Sequence, residues 1–208
     1  MKRAGGRDTL SFMRYVLFLA GTVLAVHAAA QSETWQLDPA HSAAQFSVRH
    51  MGISTVRGTF TKVTGTVQYD PSDVTKSAID VTIDANSVDS RVDMRDKDLR
   101  SDHFLDVQKY PTITFKSKRV ETGGADKLKV SGDLTIHGVT KEVVLDVDGP
   151  SKPMKDPRGR MHMGAEATTT VSRADFGMTG YTGMVGDDVS IMLDVEMVKP
   201  ANNPPPPQ

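Results

Sequence analysis

The stretch Met94-Arg95-Asp96-Lys97-Asp98-Leu99-Arg100-Ser101-Asp102-His103-Phe104-Leu105-Asp106-Val107-Gln108-Lys109-Tyr110-Pro111-Thr112-Ile113-Thr114-Phe115 decides how the rest of this chain is read. It mixes arginines, carboxylates and a few apolar residues at three- and four-residue spacings that suit a helical turn. Pro111 ends that pattern and starts a strand, since proline fixes its own φ and pushes its predecessor towards extended backbone. The sequence on both sides reads as β-structure. One short charged helix inside an all-β protein is therefore expected, and such an insertion is expected to close or line a cavity.

Working outward, apolar residues alternate with polar ones at period 2, the pattern of half-buried strands. Ala44, Phe46 and Val48 alternate with Gln45, Ser47 and Arg49. The same holds for Val63 to Tyr69, Ile79 to Ile83, Leu128 to Ile136, Val143 to Val147 and Val189 to Met197. Gly, Pro and Asp turns separate the runs, as in an antiparallel barrel or a sandwich. Gly58, Gly65 and Gly132 sit inside runs, where a strand bends sharply or admits another backbone. Strongly bent long strands are what closing a small barrel requires, so an eight-stranded antiparallel barrel is preferred to a sandwich.

The ends of the chain read differently. Lys2, Arg3, Arg7 and Arg14 precede an apolar run from Tyr15 to Val26, and Ala28-Ala29-Ala30 offers small residues for cleavage. Residues 1–30 are thus expected to be a cleavable export signal, the run being shorter than the ~20 residues of a membrane span. Residues 31–199 form the expected domain, and 200–208 a proline-rich tail. From totals of 25 basic and 26 acidic residues, removing 1–30 leaves 21 against 25, a formal net of −4. That balance gives no basis for nucleic-acid binding. Cysteine is absent, so no disulfide and no thiol nucleophile enters the reading.

Other chemistry leaves faint marks. There is no Gly-x-Ser-x-Gly elbow and no His-Glu-x-x-His. Five histidines remain after processing, His41, His50, His103, His137 and His162. A metal site or enzyme using His41, His50 and nearby carboxylates stays open beside a binding role. Gly177-Met178-Thr179-Gly180-Tyr181-Thr182-Gly183-Met184-Val185-Gly186 does not link a strand to a helix as phosphate-cradling loops do. It reads as a mobile flap before the last strand.

Several blocks together resemble one known family. They are Trp35-Gln-Leu-Asp38, His41-Ser42, Phe46-Ser-Val-Arg-His50-Met-Gly52 and Val56-Arg-Gly-Thr-Phe60. The middle block is Arg95 to Ser101 with Phe104, Lys109-Tyr-Pro111 and Phe115. Gly132 to Thr135, His137 to Lys141, Arg173-Ala-Asp-Phe176 and Asp188 to Ile191 follow in order. The chain resembles the YceI-like proteins over essentially all of 31–199. That resemblance implies a lipocalin-like barrel that binds polyisoprenoids, isoprenoid quinones or similar amphiphiles outside the cytoplasm, without catalysis. A periplasmic carrier or storage protein is the expectation, with a lipid ligand and no cofactor. Contact with a membrane or a membrane cytochrome, and a monomer or homodimer, are both compatible with it. One departure is Asp98, where many relatives carry histidine before Leu99-Arg100.

Within that frame the candidate bore residues are Phe46, Val48, Phe60 and Ile83 from the first half, with Leu99, Phe104 and Phe115 around the helical segment. Leu134, Leu145, Phe176 and Ile191 come from the second half. Each alone reads first as close-packed core, and only the family frame, which supplies a cavity, makes the set suggest a bore. Met161, Met163, Met178, Met184, Met192 and Met197 either adapt to an irregular ligand or fill the core. His50 is expected to edge the mouth or to satisfy a strand end. Arg100 and Arg173 are candidates for a phosphate or carbonyl head group, against the reading that arginines of the helix pair with its own carboxylates, as Asp96 with Arg100.

Overall fold

Two long bent runs set up the architecture. The computed structural model describes residues 32–200; the expected export signal (1–30) and residues 201–208 lie outside the described residues. Strands β1 (Glu33–Leu37) and β2 (Ala43–His50) form the first run, and β3 (Ser54–Phe60) and β4 (Val63–Tyr69) the second. They pair antiparallel, β2 with β3 and β1 with β4, around the turn at 51–53. Next come β5 (Ala78–Asp84), the two-residue β6 (Val88–Asp89) and the helix α1 (Asp93–Leu99). Then follow β7 (Thr112–Gly124), β8 (Lys127–Ile136), β9 (Val139–Asp148), the short β10 (Met154–Lys155), β11 (Met161–Ser172) and β12 (Val185–Val198).

The ladder runs β4–β5–β7–β8–β9–β11–β12, and β12 returns to β2 and, at its end, to β1. Eight antiparallel staves therefore close into a barrel, as the bent-strand glycines anticipated. Closure is uneven: β9 meets β11 only over Asp146–Asp148, and the outer edge of β3 meets β6 only at Thr59 and Phe60.

The glycines act by admitting aromatic rings. A Cβ at Gly58 would stand 2.5 Å from the Phe46 ring, and one at Gly132 2.5 Å from the Phe115 ring. Each ring lies over a glycine of the neighbouring strand, which lets a phenylalanine fit inside a narrow barrel without pushing the strands apart.

The segment between β5 and β7 covers one end. Helix α1 has Asp93 and Asp96 in its first turn and Lys97 in its last, signs that complement the helix dipole. Its internal pairing differs from expectation. Asp96 is buried and accepts from the Ser90 backbone N–H (2.7 Å) and the Ser90 hydroxyl. Arg95 reaches the same serine through its Oγ (2.7 Å) and carbonyl (2.8 Å). Arg100 donates to the carbonyls of Asn86 (2.9 Å) and Val88 (2.5 Å). The expected Asp96–Arg100 pair is thus replaced by two separate ties to the chain before α1, because orphan carbonyls of that non-repetitive stretch need donors.

Candidate functional site

The inward faces of the staves do not meet. They enclose a cavity of about 240 Å³, drawn out along the barrel from Val74, Ser77 and Pro150 at one end to Leu99, Phe104 and Val185 at the other. Inward positions of β12 follow period 2 from Val189 to Met197. With the rise of a strand and the tilt of a small barrel, that stretch alone spans roughly 20 Å along the bore. The volume lies below the ~300–1,000 Å³ of ordinary small-molecule pockets, so length with little width is its defining property.

Most candidate residues meet on this wall. Phe46 and Val48 of β2, Phe60 of β3 and Ile83 of β5 line it. So do Leu99 and Phe104 of the covering segment, Phe115, Leu134, Leu145 and Ile191 of later strands, and Arg173. Three candidates stand elsewhere. His50 ends β2 one inward step beyond Val48 and is not part of the wall. Arg100 is turned to the Asn86 and Val88 carbonyls. Phe176 is fully buried in the one-turn helix Ala174–Phe176, outside the bore, with its carbonyl 3.1 Å from His137 Nδ1. Of the methionines, Met163, Met178 and Met197 line the wall, while Met184 and Met192 are exposed.

Sequence reasoning passed over Ala165, Ala167 and Thr169 of β11, which also face the bore. Their small inward side chains leave the space that larger residues would fill, yet small residues give a weak apolar period. The alternation of Met163, Ala165, Ala167, Thr169 and Val171 was the available signal.

The wall has one charged residue, and it is occupied. Arg173 is only 2% exposed. Its guanidinium donates to the carbonyls of Met178 (2.6 Å), Gly180 (2.8 Å), Val185 (3.0 Å) and Gly186 (2.9 Å), with Asp187 at 3.4 Å. The glycine-rich stretch read as a mobile flap is thus strapped around a buried arginine. Gln45, a polar wall residue, donates its amide to Asp194 (2.7 Å). No Asp, Glu, His or Lys lines the bore among the described residues.

A latch joins that loop to the α1 segment. His103 Nδ1 lies 2.8 Å from Asp98 Oδ1, and the Tyr181 hydroxyl is 3.4 Å from each. The Tyr181 ring also stacks on Phe104, centroids 5.8 Å apart. Hydrogen bonding to Asp98 holds the His103 ring above its ordinary value. The latch is therefore fully formed below about pH 6.5 and weakens as pH rises through the raised value. Asp98→Asn is expected to return His103 to the ordinary imidazole range, read by histidine NMR titration; an unmoved midpoint would reject this pairing in solution.

At the opposite end, outside the bore, Asp38, His41 and Glu196 bring ligand atoms within 4.8 Å of one another. His41 pairs with Asp38 (2.9 Å), and His162 bridges Glu196 (2.7 Å) and Asp156 (3.2 Å). These contacts read as an outer network of ion pairs.

Fold and bore can be set against known proteins. The YceI-like domain matches residues 35–197. This chain belongs to the YceI-like family. It is similar to a UPF0312 protein of Vibrio cholerae, 37% identical over 170 residues, 80% of this chain and 89% of the relative. A UPF0312 protein of Pectobacterium atrosepticum is 37% identical over 159 residues, 76% and 82% of the two chains. Among solved structures, the Campylobacter jejuni YCEI protein gives a TM-score of 0.66 at 32% identity, covering 74% of this chain and 90% of that one. Burkholderia cenocepacia BcnA gives 0.68 at 23% identity, covering 77% and 98%. A polyisoprenoid binding domain from Saccharophagus degradans gives 0.58 at 18%, covering 80% and 98%. The last two share the fold of this YceI-like barrel.

Proposed function

We propose that this YceI-like protein is a non-catalytic carrier or store for an isoprenoid lipid, one chain per barrel, in the periplasm. The observation that carries the reading is a long, narrow, apolar bore whose one charged wall residue, Arg173, is spent on backbone carbonyls. Such a wall offers contact to a slender hydrocarbon and no free group for a polar one. Each buried CH₂ contributes roughly 0.8 kcal/mol, so a long tail binds without a strong polar anchor, even after its lost freedom is subtracted. A head group would project past Leu99 and Phe104 at the α1 end or past Pro150 at the other. The polyisoprenoid binding domain among the structural relatives supports this ligand class. The apparent signal at residues 1–30 supports the compartment.

Native mass spectrometry of protein purified from periplasm, followed by organic extraction, tests it. One prenyl lipid or quinone per chain is expected. A bare mass with no uptake of offered prenyl lipids sinks the proposal. Stoichiometric metal surviving dialysis would instead favour the cluster at Asp38, His41 and Glu196.

A further inference from the structure

Large apolar side chains left in water gather at one end of this barrel. Six of the nine among the described residues, Met51, Ile53, Val92, Met94, Tyr181 and Met184, lie on segments at the α1 end. The tip of the β2–β3 hairpin stands out, with Ile53 79% and Met51 56% exposed. Met51 has φ 51° and Gly52 φ 71°, in a turn closed by Ile53 N–H donating to the His50 carbonyl (3.1 Å). Asn, Asp and Gly take such left-handed backbone most readily. A methionine there puts a thioether at the apex against the local preference.

This tip is continuous with the bore. Met51 N–H donates to the Met184 carbonyl (2.6 Å), and Met184 N–H to that of Tyr181 (3.0 Å). Tyr181 stacks on Phe104, which lines the wall. Beside the apex are two exposed arginines, Arg49 and Arg57, and neither takes part in an ion pair among the described residues. Arg49 is held under the tip by Thr55 Oγ1 (2.8 Å) and the Gly52 carbonyl (2.6 Å). Asp187 and Asp188 of β12 are exposed at the same end, and Asp187 lies 3.4 Å from Arg173.

We propose that the hairpin tip docks on an anionic lipid surface. Met51 and Ile53 enter the head-group region while Arg49 and Arg57 meet lipid phosphates. Apolar area together with positive charge is the combination that holds proteins at such interfaces. A flanking pair of arginines outside any ion pair among the described residues favours a phosphate-bearing bilayer over an apolar protein partner. The purpose of docking, bringing the α1 end of the bore to a lipid source, rests on the carrier reading. The surface itself does not.

The test uses ligand-free protein from the soluble envelope fraction, sedimented with vesicles of three parts phosphatidylethanolamine to one part phosphatidylglycerol, and with phosphatidylcholine vesicles. Binding to the anionic vesicles is expected, falling at high salt as the screening length shortens. The double variant Met51→Asn/Ile53→Ser keeps a residue suited to the turn, and should weaken binding about tenfold or more. Arg49→Gln/Arg57→Gln should lose most of the salt-sensitive part. Equal binding by parent and variants, no binding, or a dimer in sedimentation velocity that the double variant abolishes would each overturn the proposal. Vesicle binding without prenyl-lipid uptake would count against the carrier reading alone.

Discussion

Ala167→Phe is expected to raise the melting temperature of the empty protein while cutting prenyl-lipid uptake at least about a hundredfold. Ala167 pairs with Val147 and Leu193 on neighbouring strands, and all three face the bore. In a close-packed core an added ring forces neighbours off their rotamers and costs about 1–3 kcal/mol. Here it enters a cavity of about 240 Å³ and gains contacts that the empty wall lacks, a stabilisation of about 1–2 kcal/mol. A ligand chain threading the same space loses several CH₂ contacts at roughly 0.8 kcal/mol each, which is a hundredfold or more in affinity. Thermal melts and native mass spectrometry of the same sample read both effects. A lower melting temperature with unchanged uptake would mean that the space beside Ala167 is ordinary core.

Arg173→Ala is expected to cost about 3–5 kcal/mol of folding stability, the scale of leaving buried partners of a charged group unsatisfied. Four carbonyls, those of Met178, Gly180, Val185 and Gly186, lose their donor at once. The pair with Asp187, which is 56% exposed, adds little to that figure. Arg173→Lys keeps the charge but cannot serve four directions from one ammonium, so it should recover only a minor part. Urea denaturation gives the magnitude, and hydrogen exchange should localise the loss to 177–186. A cost under about 1 kcal/mol would mean that the loop holds its shape without the arginine.

Much of this was legible in the sequence because strands carry a simple period. The inward sets Phe46 and Val48, Ile79 to Ile83, and Val189 to Met197 are apolar at every second position and face the bore as read. Gly58 and Gly65 mark close approaches to Phe46 and to the Asp80 carbonyl, while the long run is interrupted at Thr61 and Lys62; the helical segment did cover one end, delivering Leu99 and Phe104 to the wall. What escaped was of two kinds. Strand β11 carries alanines and threonines inward, where a cavity needs small residues, and so lacks the contrast that pattern reading relies on. Side-chain partners such as Asn86 and Val88 for Arg100 belong to segments with no period, and spacing along a helix says nothing about them. Asp98 is similar: spacing marked it only as one of the helix carboxylates, and in the fold it is the acceptor joining His103 and Tyr181.

The barrel is sealed by strands from opposite ends of the chain, β12 against β2 and β1, across about 150 residues, as the Ser42–Glu196 contact illustrates. Contacts so distant in sequence are slow to form, since the loop they close must first lose its freedom. Seven staves without the eighth would leave both β2 and β11 with open edges, ready to pair with another copy. An incomplete chain is thus sticky as well as leaky. The bore is closed all round only after the final strand has emerged and found the first.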